Sequence, residues 1–377
     1  MAWKIPLFKI YWEKDDVDAV TSVIKSGANW ATGEHIEKLE KETEKFLGVK
    51  YALSFSSGTA ALHALMRATG IERGDEVIVP SFSFVATANA PLFVGATPVF
   101  AEIEKGTYGL DPADVEKKIT KKTKAIIPVH YGGGSCKIGE LKKIAKKHNL
   151  LLLEDAAEAL GAKERKKYVG TFGDAGMFSF CAPKVITTGE GGIIVTNSKN
   201  IYETLKLLRS HGRAETQNYF STAEYMDYIQ LGYNLRLSNI LAALGRTQLK
   251  KLNKIARLRR KKAKYLTNRL RGVEDIETPH FPYDSSHLYQ MYTIYVKEGK
   301  RVREELRRYL NKKGTMAKVY FPCIHLSGFY KKEFGYKKGD LPQTEHIADS
   351  VLTLPMYPDI TKKDMDTMAK EIQNFFA

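Results

Sequence analysis

Residues 138–161 read IGELKKIAKKHNLLLLEDAAEALG, and the order of residue types in that stretch decides the fold. Apolar residues spaced among lysines predict a helix over 138–149. LLLLED (150–155) has no polar face, which predicts a strand covered on both sides. Asp155 closes that strand, where a lone carboxylate is costly unless donors or a cation meet it.

The same alternation extends outward. YALSF (51–55) reads as strand and 59–70 as helix ended by Gly70; EVIVP (76–80) as strand and 84–93 as helix; 97–103 and 124–131 as strands. AGMFSF and GGIIVTN (191–197) read as a β-pair. Helices at 14–26 and 35–47, with a loop between, precede the alternation. The expected fold class is α/β: a three-layer, mostly parallel sheet with helices on both faces. Ligands of such sheets sit at the carboxyl ends of strands.

Residues 239–270 predict one long helix, with ten basic residues between Lys250 and Arg269 and an apolar stripe through Leu252, Ile255 and Leu266. The expected role of the charge is a solvated face over core. Beyond it, 291–296 (strand), 301–314 (helix stopped by Gly314), 316–321 (strand) and 361–376 (helix) suggest a smaller α+β unit. The expected division is 1–250 and 251–377.

The 377 residues carry 59 Lys and Arg against 43 Asp and Glu, a net charge of +16. Such a balance attracts anions, nucleic acid among them; a Lys/Glu-rich surface of heat-adapted type is the blander reading. Cys136, Cys181 and Cys323 form no CxxC pair, so neither a disulfide framework nor a metal site is expected, and a reducing compartment is. The start of the chain lacks a signal design, and no apolar run reaches the ~18–20 residues of a membrane helix. A soluble cytoplasmic protein is expected.

Four stretches carry chemistry. In FSSGTAALHAL (55–65), Ser56, Ser57, Gly58 and Thr59 open a helix, an anion site by its free N–H groups or a plain cap. Asp155 is the second, as a helix cap or as the partner of a cation such as a protonated ring nitrogen. In FSFCAPKVITTGEGG (178–192), Lys184 has an apolar left flank and a glycine-rich right one. Desolvation there favours a neutral amine able to form a Schiff base, and Ser179 lies five residues before it. In LGYNLRLSNILAALG (231–245), Asn234 and Arg236 precede the long helix, an ordinary polar helix entry with Asn239 in solvent unless the loop serves a site.

Phosphate site, strand-end Asp and loop lysine, in that order and with the lysine 29 positions after the Asp, resemble a fold-type-I (aspartate-aminotransferase-like) pyridoxal 5'-phosphate enzyme. More narrowly, SGTAALHAL, EVIVPSFSFVATANAPLFVGATPVF, EDAAEALGA, VGTFGDAGMFSF, TTGEGGIIVTN and LPMYP (354–358) resemble blocks of the DegT/DnrJ/EryC1/StrS family of nucleotide-sugar aminotransferases. The resemblance implies that Lys184 holds the cofactor and moves the proton, and that Asp155 keeps the pyridine nitrogen protonated. It places Phe84 against the ring, Ser57, Gly58, Thr59 and Ser179 at the phosphate, and Glu158, where many members have Gln, near the ring hydroxyl. Asn234 would reach the cofactor of a neighbouring subunit, implying a homodimer with shared sites. Trp30 and His325 would lie near the sugar nucleotide.

The implied reaction moves an amino group from glutamate to a nucleotide-linked keto-deoxy sugar in polysaccharide biosynthesis. Glu158 and Asn239 resemble the perosamine-synthase branch, which aminates C4 of GDP-4-keto-6-deoxymannose. The expected partners are these small molecules and a second copy, not nucleic acid or membrane. Two rivals remain: a nucleic-acid-binding or regulatory protein on an inactive cofactor fold, and a dehydratase of the same fold. A dehydratase branch with His in place of the lysine is disfavoured by Lys184.

Overall fold

The computed structural model describes residues 3–214, 222–280 and 286–377. Two helices, α1 (Lys14–Lys25) and α2 (Glu34–Leu47), lead into β1 (Tyr51–Phe55), α3 (Gly58–Ala68), β2 (Glu76–Pro80), α4 (Ala86–Leu92) and β3 (Thr97–Ala101). Then come α5 (Pro112–Lys118), β4 (Thr123–Ile126), α6 (Ile138–Lys147), β5 (Leu151–Asp155) and a short hairpin of β6 (Lys163–Glu164) and β7 (Lys167–Tyr168). β8 (Ala175–Ser179), β9 (Gly192–Thr196) and α7 (Lys199–Arg209) complete the alternation.

Seven of these strands form one sheet in the order β1-β9-β8-β5-β4-β2-β3. The pairs from β3 to β8 are parallel, while β9 runs antiparallel to both β8 and β1. The sheet is therefore mostly parallel, as expected. Its central strands are buried on both faces, which is why they read as unbroken apolar runs.

The helix α8 (Asn239–Leu270) opens on Ser238, whose hydroxyl accepts from Leu241 N at 3.3 Å. Its apolar positions change company along its length. Leu252, Ile255 and Ala256 pack with α2 and the large sheet. Ala263, Leu266 and Leu270 pack in a second core, around β10 (Ile276–Glu277), β11 (Tyr292–Val296), α9 (Lys300–Lys313), β12 (Val351–Leu354) and α12 (Lys362–Phe376). Between α9 and β12 lie α10 (Gly328–Phe334) and α11 (Pro342–Ser350).

Several expectations need correcting. Residues 316–321 are not a strand; Lys318 alone makes an isolated bridge to Thr353. The antiparallel partner of β11 is β12, four residues that follow α11 with no turn between and so leave no sequence boundary. Helices α5 and α7 carry capping signals, Asp111 before a proline and Ser198, that the reading passed over.

The basic run on α8 is not simply a solvated face. Lys251 is buried against Asp15 (2.6 Å) and Asp16 (3.0 Å), and Lys254 pairs with Glu13, fastening α1. The buried Arg259 donates to the carbonyls of Tyr289 (3.0 Å) and Met356 (2.9 Å), and Lys262 to that of Ile360 (2.6 Å). Six of the ten basic residues are exposed, as a solvated face requires, while Lys251, Arg259, Arg260 and Lys262 turn inward as cross-braces.

Candidate active site

In the large sheet β1, β5 and β8 end at one edge, where β9 begins. Phe55 and Ser179 both pair with Gly192 there. A Cβ on Gly192 would lie 2.7 Å from Ser57 O and 2.8 Å from Gly58 N, so only glycine lets the start of α3 fold across the edge. A Cβ on Gly58 would lie 3.4 Å from Ser179 Oγ, so the helix start and that hydroxyl are close neighbours. Ser57 Oγ is occupied as the cap, accepting from Ala60 N at 3.0 Å. The N–H groups of Gly58 and Thr59, at the first helical positions, have no intrahelical acceptor, and both residues line the cavity described below.

The pleat decides which acid of the Glu154–Asp155 pair serves the site, because successive side chains leave a strand on opposite faces. Glu154 turns away, accepting from Gly170 N (2.7 Å), Phe172 N (2.6 Å) and Gly173 N (2.7 Å) and lying 2.9 Å from His130 Nε2. It is structural. Asp155 turns into the cavity, accepting from Thr87 Oγ1 at 2.7 Å and Ala157 N at 3.1 Å. Burial pushes its carboxyl above the ordinary value, and Glu158 adds to that. Thr87, Ala157 N and the charge of Lys184 oppose it.

Lys184 follows Pro183 on a turn in which its N–H bonds to Cys181 O at 3.0 Å. Gln290 holds this turn from the second half of the chain, donating to Pro183 O at 2.5 Å. The Lys184 ammonium lies 3.3 Å from Glu158 Oε1, and Glu158 Oε2 accepts from Gly132 N at 2.8 Å. A cavity of about 420 Å³ is lined by Ser57, Gly58, Thr59, Phe84, Asp155, Glu158, Ser179 and Lys184 together. A larger, open hollow of about 860 Å³, between α6 and the β6–β7 hairpin, contains none of them.

Two expected residues, His325 and Trp30, lie elsewhere, and Asn234, expected at a neighbouring subunit's cofactor, lies outside this chain's cavity. His325 is fully buried outside the cavity, with Nδ1 2.6 Å from Ser81 Oγ and Nε2 3.2 Å from Glu345 Oε1. Ser, His and Glu in that order suggest a hydrolytic triad, but the buried serine has no access to a substrate. The trio fastens the segment before α10 to the end of β2. Trp30 is half-exposed outside the cavity, and its carbonyl accepts from Asn239 N at 2.9 Å. Asn239 is buried rather than solvated, and its side chain accepts from His35 N at 2.9 Å. Asn234 lies beside Ser210 in an isolated bridge and does not line this chain's cavity.

Sequence reasoning missed Thr87 and Gly192. Thr87 sits three residues after Phe84, one helical turn on, and that spacing was the available signal. Gly192 was hidden among the glycines of TTGEGG. Among the described residues no group of three or more His, Cys, Asp or Glu is placed to hold a metal ion, and no helix is long and apolar enough to cross a membrane.

A helix-start anion cradle, a strand-end carboxylate and a loop lysine at the carboxyl edge of this sheet define the class of fold-type-I, pyridoxal-phosphate-dependent aminotransferases. The DegT/DnrJ/EryC1/StrS aminotransferase family matches residues 11–373, and the chain belongs to that family of sugar aminotransferases. The GDP-perosamine synthase of Escherichia coli O157:H7 is 34% identical over 373 residues, covering 99% of each chain. Helicobacter pylori PseC, an aminotransferase involved in the biosynthesis of pseudoaminic acid, is 32% identical with a TM-score of 0.93 and 99% of each chain covered. S. venezuelae DesV, solved in complex with a ketimine intermediate, is 30% identical with a TM-score of 0.91, covering 100% of this chain and 99% of its own. Pyridoxal phosphate is the cofactor of this family.

Proposed function

We propose that this chain binds pyridoxal 5'-phosphate at the cavity and transfers the amino group of glutamate to a nucleotide-linked keto-deoxy sugar. The observation that carries the reading is that Lys184 and Asp155 line one cavity with the N-terminus of α3. The donor set suits the cofactor. The N–H groups of Gly58 and Thr59 with the Ser179 hydroxyl would take the phosphate, and Phe84, exposed at the rim, would cover the ring. The Asp155 carboxylate meets only neutral donors directly, so a protonated ring nitrogen would supply its missing cation.

When bound, the cofactor supplies a carbonyl carbon for the amine and a protonated ring that accepts electron density from the substrate carbon. Asp155 holds the ring proton in place. Lys184 Nζ removes the proton from the amino-bearing carbon of the donor and returns one to the acceptor carbon in the second half-reaction. Glu158 anchors that amine from one side while its other oxygen stays bonded to Gly132. Loss of the Lys184 amine removes that base.

The E. coli relative's name, GDP-perosamine synthase, is compatible with a GDP-linked acceptor, and we take amination at C4 of GDP-4-keto-6-deoxymannose as the reading to test. PseC, of nearly equal identity, belongs to a different sugar's biosynthesis, so overall identity does not select the sugar. We read residues 1–250 as the cofactor-binding unit and 251–377 as a smaller one; the change of apolar partners along α8 supports two units but falls between Ala256 and Ala263. The sites are read as shared within a homodimer in the cytoplasm. Trp30, Phe84, Phe93, Tyr228, Ile229 and Leu231 are all exposed, more large apolar surface than a solvated monomer favours. Asn234, outside its own cavity, would complete the partner's.

The test is reconstitution with pyridoxal phosphate. The wild type is expected to gain a visible absorption band that shifts with glutamate, and Lys184→Ala to lose both. Product analysis with GDP-, UDP- and dTDP-linked keto sugars then assigns the acceptor. A wild-type protein with no visible band overturns the reading.

A further inference from the structure

We infer that Lys318 is a specificity residue that binds an oxyanion of the substrate at the mouth of the cavity; this rests on the transamination reading above. The lining carries three carboxylates, Asp155, Glu158 and Glu190, against two ammonium groups, Lys184 and Lys318. Both substrate classes of the reaction are anionic. Glutamate brings two carboxylates, and a nucleoside diphosphate sugar brings a charged pyrophosphate. With Asp155 facing the ring nitrogen and Glu158 paired to Lys184, Glu190 is the carboxylate left to repel both substrates unless a cation faces them. Lys184 is committed to Glu158 and to the reacting carbon, which leaves Lys318.

Lys318 is exposed at the mouth of the cavity, held by its backbone pairing and by its neighbour Tyr320. The backbone of Lys318 is bonded twice to Thr353 of β12, with N donating to Thr353 O at 3.1 Å and O accepting from Thr353 N at 2.8 Å. The side chain crosses the ring of Tyr320, with Nζ 4.6 Å from its centroid and 3.3 Å from its hydroxyl oxygen. Stacking on an aromatic face narrows the range of the ammonium without neutralising it. Among the described residues the hydrogen-bond partner of that ammonium is the neutral Tyr320 hydroxyl. Lys251 and Lys254, by contrast, are spent on α1 carboxylates. Lys318 reaches the cavity from the wall built by the second half of the chain, with Tyr320 and Phe321 beside it. The nearby segment was read from sequence only as a strand.

The experiment uses the reconstituted holoenzyme as wild type, Lys318→Gln and Lys318→Arg. Glutamate half-saturation is read from the spectral change in single turnovers, and GDP, UDP and dTDP binding by calorimetry. Lys318→Gln is expected to weaken either glutamate or the nucleoside diphosphates by about tenfold, roughly the loss of one charge-assisted contact. Its rate at saturating glutamate should stay within about twofold, and Lys318→Arg should recover most of the affinity. A defect confined to glutamate assigns the donor carboxylate; one confined to the diphosphates assigns the pyrophosphate. If Lys318→Gln binds all four ligands as the wild type does, or its loss lies in the saturated rate alone, the inference is overturned. If the wild type itself shows no spectral response to glutamate, it is the transamination reading that fails.

Discussion

Glu158 stands between Lys184 and the backbone: one carboxylate oxygen is 3.3 Å from Nζ of Lys184, the other accepts from Gly132 N at 2.8 Å. The two contacts separate by chemistry. An amide at 158 keeps an acceptor for Gly132 and loses the charge. Glu158→Gln is therefore expected to unfold within about 0.5 kcal/mol of wild type, whereas Glu158→Ala leaves a buried N–H unpaired and costs about 1–3 kcal/mol. Urea denaturation of the two variants checks this; equal losses would place the stabilisation in the ion pair instead.

Asp155 makes the opposite kind of contribution before its ring partner binds. Burial raises its carboxyl above the ordinary value of 3.8, so the folded chain holds that proton to higher pH than the unfolded chain does. The group's stabilisation is full below the ordinary value and is lost as pH rises through the folded one. In cofactor-free protein, Asp155→Asn is expected to raise Tm at pH 8 by about 1–2 °C, with the gain shrinking as pH falls toward 4. Calorimetry across that range reads the sign directly. The same variant should hold the cofactor less tightly.

Gly170 and Gly189 both have φ in the left-handed region, +80° and +87°, but only one is hemmed in. A Cβ on Gly170 would lie 2.3 Å from Phe178 Cζ, while Gly189 has open space around it. Gly170→Ala is expected to cost about 3 kcal/mol or more through overpacking and backbone strain, and Gly189→Ala about 1–2 kcal/mol from backbone strain alone. Chemical denaturation of the pair separates the two causes.

The proposed sharing of sites within a dimer makes a stoichiometric prediction. Lys184→Ala and Asn234→Ala are each expected to be inactive or severely impaired alone. In a mixed dimer one site carries both defects and the other carries neither. Co-refolded one to one, half the dimers are mixed, so activity should recover to about one quarter of wild type. A mixture no more active than its parents would show that Asn234 serves its own chain or none.

The strands of the large sheet were legible because burial on both faces leaves an unbroken apolar run. The small sheet was harder. β12 is four residues long and abuts α11, while residues 316–321 have a strand-like pattern yet contribute only the Lys318–Thr353 bridge. The chemistry was legible where neighbours in sequence are neighbours in space. Ser57 to Thr59 form one helix start, and Ser179 and Lys184 lie on one strand and the loop that follows it. His325 was misplaced because its surroundings, Ser81 and Glu345, come from distant parts of the chain.

By itself the sequence determined the α/β alternation, the polar start of α3, and an acid and an amine suited to one cofactor. These follow from short-range periodicity and local residue chemistry. The tertiary structure showed how the pleat turns Glu154 away and Asp155 in, and decided that Lys251, Arg259, Arg260 and Lys262 of α8 brace the interior. It also brought Glu158 to Lys184, and Thr87 to Asp155. Each of those depends on which distant residues the sheet's strand order and pleat bring within hydrogen-bonding reach, which no window along the chain contains.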